Sequence, residues 1–409
     1  MNFKFEILNQ VLPNFFTENE VLEIKMKLKS ASLVKQKSGI KLNNNTKYLL
    51  KQTRINSGRT YFTLLLSIVK SKLSKSKLSE FLFGYGEILM ANGEFDFAKE
   101  VFIHILNLTH SELQLVSLRA YTLLTLGNIF SRQAEWEQSI KFIKNAKIIF
   151  TAEKDYRGCA RCENLLGTIY GDKSNIGKTK LHFEKSLSYL DPKKDFVWIG
   201  IIEMNVGIIN SIQGNYNDAM SYFKRALLKF EHAKDFRRIS ELRNNLSIYF
   251  INKGDFNSAL NELDISIALH NKTEFLPNLV ISYVSKSYIY AIIKDYIFAS
   301  AYIQKSMSIC KKINDRLSIA ELYKIKGIIY RNKKKYSYAE KFFNASLKIN
   351  NEFDNKMNEA ETFYEMGYLY SEMGKKPESI RNWKKSLQYY KKIKHSNMIS
   401  KIESLLKPH

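Results

Sequence analysis

The stretch Glu321-Leu322-Tyr323-Lys324-Ile325-Lys326-Gly327-Ile328-Ile329-Tyr330 decides the reading of this chain, because its pattern returns. Forty residues before Gly327 stands Ser287, and further steps of forty give Ser247, Gly207, Gly167 and Gly127. A step of 41 separates Gly127 from Gly86, and forty residues forward lead to Gly367. Eight units therefore share one register. Self-similarity at a fixed period is the mark of a repeat array, in which each unit buries its apolar face against its neighbours.

Other columns keep the same clock. Three residues after the small anchor comes a large one: Leu89, Phe130, Tyr170, Phe250, Tyr290, Tyr330 and Tyr370, with Asn210 the exception. Twelve residues after it comes a second small residue, as at Ala219, Ala259, Ala299 and Ala339, and four further on a large one, as at Phe183, Phe223, Phe343 and Trp383. Two antiparallel helices need small residues where their backbones approach and large ones to fill between. Gly93, Gly214, Gly254 and Gly374 fall between the two helices of a unit, where a turn calls for positive φ. Asp155, Asp195, Asp235 and Asp315 stand twelve residues before the anchors and are placed to cap the next helix, with Glu274 and Asp354 displaced by one. One carboxylate per forty residues reads as architecture, not catalysis. The scarcity of Pro (5) and Gly (17) in 409 residues suits an all-α chain.

The small anchor followed by Tyr, Ala and Phe resembles the tetratricopeptide repeat, over about residues 79–392. The forty-residue period is similar to that of helical scaffolds that bind spindle-orientation partners, and to that of bacterial peptide-pheromone receptors. The resemblance implies a right-handed superhelical solenoid of about eight helix-turn-helix units. Residues 393–409 carry Met398, Ile399, Ile402, Leu405 and Leu406 at helical spacing and read as a C-terminal capping helix ended by Pro408. The resemblance also implies that the first helices line a concave groove that takes a protein or peptide partner. The positions that would face it include Asn128, Arg161, Asn164, Asn205, Glu241, Asn244, Asn245, Lys324, Arg331, Tyr364 and Tyr368. Asparagine amides at repeat spacing suit an extended backbone, since each offers donors and an acceptor together. The basic series that grips a terminal carboxylate in chaperone-binding arrays is not reproduced.

Residues 1–78 depart from the register. Thr17-Glu18-Asn19-Glu20 reads as a capping box. Gly58, Phe62 and Leu65 lie forty residues before Ala98, Phe102 and Ile105, as in a degenerate repeat. Charge singles the segment out. The chain is +24 overall, and from Ile24 to Ser79 there are 14 Lys or Arg with no Asp or Glu. Lys35, Lys37, Lys41, Lys47, Lys51, Arg54 and Arg59 form a basic patch interleaved with Tyr48, Tyr61 and Phe62. Nucleic acid is therefore a second partner class, although no helix-turn-helix signature is present. A third reading is a peptide-sensing regulator whose N-terminal module carries the output.

Chemistry finds little purchase in the sequence. Cys159-Ala160-Arg161-Cys162 lacks the second ligand pair of a zinc site and the strand context of a redox motif. The seven histidines are scattered, and no phosphate-binding loop or nucleophile elbow occurs. A non-catalytic protein without cofactor or metal is expected. The first ten residues do not form a signal peptide, and no stretch of about 18 apolar residues marks a membrane span, so the expected location is the cytoplasm.

Overall fold

The computed structural model describes residues 8–36 and 62–407, apart from 111, 134, 174, 274 and 314. The elements are helices throughout, with no strand among the described residues. The chain divides into two compact units, one of residues 1–90 and 94–126 and one of residues 91–93 and 127–409.

In the first unit a short 3-10 turn (Leu12–Asn14) leads into α1 (Glu18–Gln36), and α2 covers residues 62–70. Next come α3 (Lys75–Ala91), α4 (Phe95–Thr109) and α5 (Val116–Arg132), whose last residues enter the second unit. The backbone N–H of Thr17 donates to Glu20 (3.0 Å), which is one half of a capping box, and the Thr17 hydroxyl donates to the same carboxylate (2.9 Å). Phe15 and Phe16 meet Phe81 edge-on, at 5.5 and 6.1 Å between ring centroids. Phe62 is buried, stacked on Tyr85 at 6.4 Å and edge-on to Phe97 at 5.6 Å, which ties α2 to α3 and α4. Of the sequence-defined basic patch, Lys35 lies in α1, while Lys37, Lys41, Lys47, Lys51, Arg54 and Arg59 fall outside the described residues.

The second unit continues in pairs. These are α6 (Trp136–Ala152), packed against the end of α5; α7 (Tyr156–Asp172) with α8 (Ile176–Ser188); and α9 (Phe196–Gln213) with α10 (Tyr216–His232). Then come α11 (Phe236–Lys253) with α12 (Phe256–Thr273), α13 (Leu276–Ile292) with α14 (Tyr296–Ile313), α15 (Arg316–Asn332) with α16 (Tyr336–Glu352), and α17 (Lys356–Glu372) with α18 (Lys376–Lys392). The last helix, α19 (Ser396–Leu406), packs on α18.

The anchor column shows why the pairs hold. A Cβ placed on Gly327 would lie 2.4 Å from the Phe343 ring, and one on Gly367 would lie 2.2 Å from the Trp383 indole. A glycine there is what lets the ring sit against backbone. Where the anchor is serine the opposing side chain is smaller: Leu263 beyond Ser247, Ile303 beyond Ser287. Each fully buried ring contributes about 2–3 kcal/mol by area. The serines of neighbouring columns do more than fit. Ser139 Oγ donates to the Gly127 carbonyl (2.6 Å) and Ser186 Oγ to that of Ala160 (2.7 Å), stitching helix to helix.

Asp155, Asp235 and Asp315 cap α7, α11 and α15, each accepting from the N–H three residues on. Asp195 does not cap α9; its carboxylate accepts from Asp191 N and from Arg157 instead. Asn355, not Asp354, caps α17, because Asp354 takes a positive φ of 50°. The four turn glycines hold φ between 73° and 81°, and Lys294 and Lys334 occupy the same turn at 66° and 57°.

One further contact joins distant parts of this unit. The end of α9 meets the C-terminal cap: Gln213 Nε2 donates to the Ile393 carbonyl (3.4 Å), and Ile212 packs into the cluster of Tyr364, Trp383, Leu387 and Ile402. The expectation that no stretch is apolar enough to span a membrane needs correcting for α9. At 18 residues and mean hydropathy 1.3 it is long and apolar enough by composition, yet it is packed against α8, α10 and α11 within the array.

Candidate functional site

The first helices of successive pairs bring the expected groove residues of the second unit into two chemically different stretches. In the first, Asn205 Nδ2 on α9 donates to Asn164 Oδ1 on α7 (2.9 Å), so two amides one repeat apart form a single polar unit. Beside them the Arg161 guanidinium lies 4.4 Å from the centre of the Trp198 ring, a cation–π contact that fixes its direction. Asn128 on α5 and Asn245 on α11 are half-buried. Glu241 accepts from Arg238 (2.6 Å). Arg132 at the end of α5 is exposed to solvent, and Glu241 on α11 and Asp315 at the start of α15 favour its charged form.

The second stretch, on α15 and α17, is closed by its own ion pairs. Lys324 is only 3% exposed and is held between Glu321 (2.8 Å) and Glu361. Burial pushes its pKa down, but the two carboxylates outweigh that and hold it above the ordinary lysine value. Arg331 donates to Glu365 (2.6 Å) and lies 5.5 Å from the Tyr368 ring. The hydroxyls of Tyr364 and Tyr368 are 3.0 Å apart, and burial pushes Tyr364 up to about 12. Both cations are engaged by these carboxylates, which outnumber them, so the stretch offers no spare positive charge to a ligand.

Asn244 does not belong with the groove residues. It is 2% exposed and turned into the next pair, donating to the Asn278 carbonyl (3.0 Å) and accepting from Ser282 Oγ (2.7 Å). Its neighbour Asn245 points about 100° away around the helix. Tyr364 is also buried, and it packs with Trp383 and Tyr390.

The sequence reading missed one cluster. Glu163 is buried on α7, accepts from Lys147 on α6, and lies 2.6 Å from His182 Nδ1 on α8. Burial alone would raise its pKa; the hydrogen bonds from Lys147 and His182 overcome that and hold the carboxyl below its usual value. Glu163 and His182 are 19 residues apart, four before and fifteen after the anchor. The same two columns pair Arg243 with Glu262 (2.9 Å) and Tyr283 with Tyr302, so the register could have revealed them. Cys159, Cys162 and Cys310 are buried free thiols, and burial pushes Cys310 up to about 12, which disfavours the reactive thiolate. Among the described residues no group of three His, Cys, Asp or Glu could hold a metal ion.

No protein-family profile matches the sequence, and no curated protein does. Solved structures do match. The chain is similar to the Rap conjugation gene regulator of the plasmid pLS20 in complex with the Phr* peptide, with TM-score 0.59 and 14% identity over 86% of this chain and 95% of that one. The chain has a tetratricopeptide-repeat-like fold. It is also similar to aspartyl phosphate phosphatase F from Bacillus subtilis, with TM-score 0.53 and 15% identity over 88% of this chain and 97% of that one. A third likeness is to the Cut9-Hcn1 hetero-tetramer of the APC/C, with TM-score 0.54 and 16% identity over 84% of this chain; the match spans 59% of that chain. At these identities the likeness fixes the fold and carries no activity with it.

Proposed function

We propose that the inner helix faces of the second unit hold an extended peptide or protein segment by its backbone, without catalysis. The observation that carries this reading is the Asn164–Asn205 pair. Each amide spends one group on the other and keeps further donor or acceptor capacity for a chain laid across both helices. Asn128 and Asn245 continue the same chemistry on the flanking first helices, and Arg161, braced on Trp198, adds a fixed positive charge. The pLS20 regulator, solved in complex with the Phr* peptide, supports the reading by analogy of fold. The stretch around Lys324 and Arg331, whose cations are engaged by its own carboxylates, would serve as the rim of the site, not its grip.

A displayed peptide library panned on the full chain, followed by capture with the variant Asn164→Ala/Asn205→Ala/Asn245→Ala, tests this. The variant is expected to lose the selected peptides by tenfold or more, roughly 1.4 kcal/mol or greater. Equal recovery by both proteins would remove the amides from the site.

A further inference from the structure

Away from the groove positions, the sixth and seventh repeats carry two matching ladders of aromatic rings. In the sixth, Tyr290 on α13 stacks on Phe298 (5.2 Å, 25°) and on Tyr302 (5.7 Å, 2°), both on α14, and Tyr302 meets Tyr283 at 5.6 Å. Forty residues later Tyr330 on α15 stacks on Tyr338 (5.4 Å, 24°) and on Phe342 (5.3 Å, 13°), both on α16, and Phe342 meets Tyr323 at 6.0 Å. Each ladder ends at the surface in the first turn of its second helix, with Phe298 51% and Tyr338 55% exposed. The fold does not require a ring there. The same register holds Lys178, Asp218, Ser258 and Glu378 in other repeats.

The turn beside Tyr338 is basic, and the turn beside Phe298 sets Lys294 next to Asp295, whose carboxylate accepts from the Phe298 N–H (3.2 Å). Lys294 precedes α14, and Lys333, Lys334 and Lys335 precede α16. All four are exposed, and among the described residues none has a carboxylate within ion-pair distance, unlike the inner Lys324 and Arg331. Lys333 Nζ lies 4.9 Å from the centre of the Tyr296 ring, so the two turns adjoin. From Leu276 to Glu352 there are 14 Lys or Arg against 5 Asp or Glu. Lysines without carboxylates at a surface call for a polyanion, and rings that end a stack call for a flat partner on the free face.

We propose that this edge of the sixth and seventh repeats binds single-stranded nucleic acid. Bases extend the two ladders beyond Phe298 and Tyr338, and phosphates lie against Lys294, Lys333, Lys334 and Lys335. Stacking of this kind tolerates any base, because every base has a π face, and lysine meets phosphate as a point charge without reading sequence. An acidic polypeptide would satisfy the lysines but gives the exposed ring faces nothing planar to meet. The site shares no residue with the peptide groove and is separate from the basic stretch before Ser79.

The test is fluorescence anisotropy of the full chain with a labelled oligothymidylate of about 20 nucleotides, from about 50 mM to about 200 mM salt. Binding is expected at the low end and should weaken steeply as salt rises. Phe298→Ala/Tyr338→Ala should weaken it at least about tenfold with the salt slope unchanged. Lys333→Gln/Lys334→Gln/Lys335→Gln should instead lower the log–log slope by about 2, at about 0.7 per phosphate contact. Both variants alter only exposed side chains, and far-UV circular dichroism checks that they fold. Absence of binding at low salt overturns the proposal. So does unchanged affinity in the ring variant, which assigns the binding elsewhere, and so does equal competition by polyglutamate, which assigns the edge to acidic protein.

Discussion

Replacing Gly327 by serine tests the pairing of anchor and ring most directly. A Cβ there lies 2.4 and 2.5 Å from two carbons of the Phe343 ring, and Phe343 is fully buried, so ring or helix must move by about 1 Å to reach ordinary contact near 3.4 Å. Overpacking of this kind costs about 1–3 kcal/mol, and exchanging glycine for serine within a helix returns about 0.5 kcal/mol. Gly327→Ser should therefore destabilise by about 0.5–2.5 kcal/mol. Phe343→Leu alone leaves a void and loses about 1–2 kcal/mol. Together the two changes rebuild the Ser247–Leu263 combination that the fifth repeat uses. The double variant should lose less than either sum suggests, with a coupling of about 1 kcal/mol or more. Urea unfolding gives the global figure. Hydrogen exchange at α15 and α16 gives the local one, since repeat arrays open in parts. Losses that add within about 0.5 kcal/mol would refute the idea that the two columns are packed against each other.

Two other substitutions separate internal polar groups from binding ones. Asn244→Leu removes its bonds to the Asn278 carbonyl and the Ser282 hydroxyl, which keep each other (3.1 Å), so it should cost about 1 kcal/mol in thermal or urea unfolding while peptide capture by the folded protein is unchanged. Glu163→Gln should cost about 1–3 kcal/mol near neutral pH by weakening the bonds from Lys147 and His182. Because the folded-state pKa of Glu163 lies below the unfolded value, its contribution is complete above about 4.3 and is lost as pH falls through the lower folded value. The stability gap between wild type and Glu163→Gln should shrink over that acid range in urea midpoints. A gap independent of pH would show that the carboxylate's charge contributes nothing.

The helical pairs were legible in the sequence because each is held by contacts local to one repeat. Gly207 and Phe223, or Gly327 and Phe343, are sixteen residues apart and recur on a fixed clock. The side of the helix on which a polar residue falls was less legible. Asn244 and Asn245 are consecutive, yet a turn of about 100° sends one into the next pair and leaves the other half-buried outside it. Lys324 was readable as an inner cation, but not as one flanked by Glu321 and Glu361, because Glu361 comes from the following repeat. The Asn164–Asn205 bond was legible only as two matching positions; that they bond to each other depends on how closely α7 and α9 approach. The exposed ladders at Phe298 and Tyr338 were hidden for another reason. The first member of each adds no new periodicity, and its significance depends on exposure, which the sequence does not state.

The contact between the end of α9 and the C-terminal cap has a mechanical consequence. A spring whose coils touch only in sequence yields a little at every joint when its ends are drawn apart. Here Gln213 bonds to Ile393 across 180 residues and Ile212 sits among Trp383 and Ile402, so that coil is fastened to a later one. Extension between residues 213 and 393 is then resisted at the clasp before it is shared among the joints. A guest that wedges the inner helices apart would load that clasp, and its release would be felt at the C-terminal end of the chain.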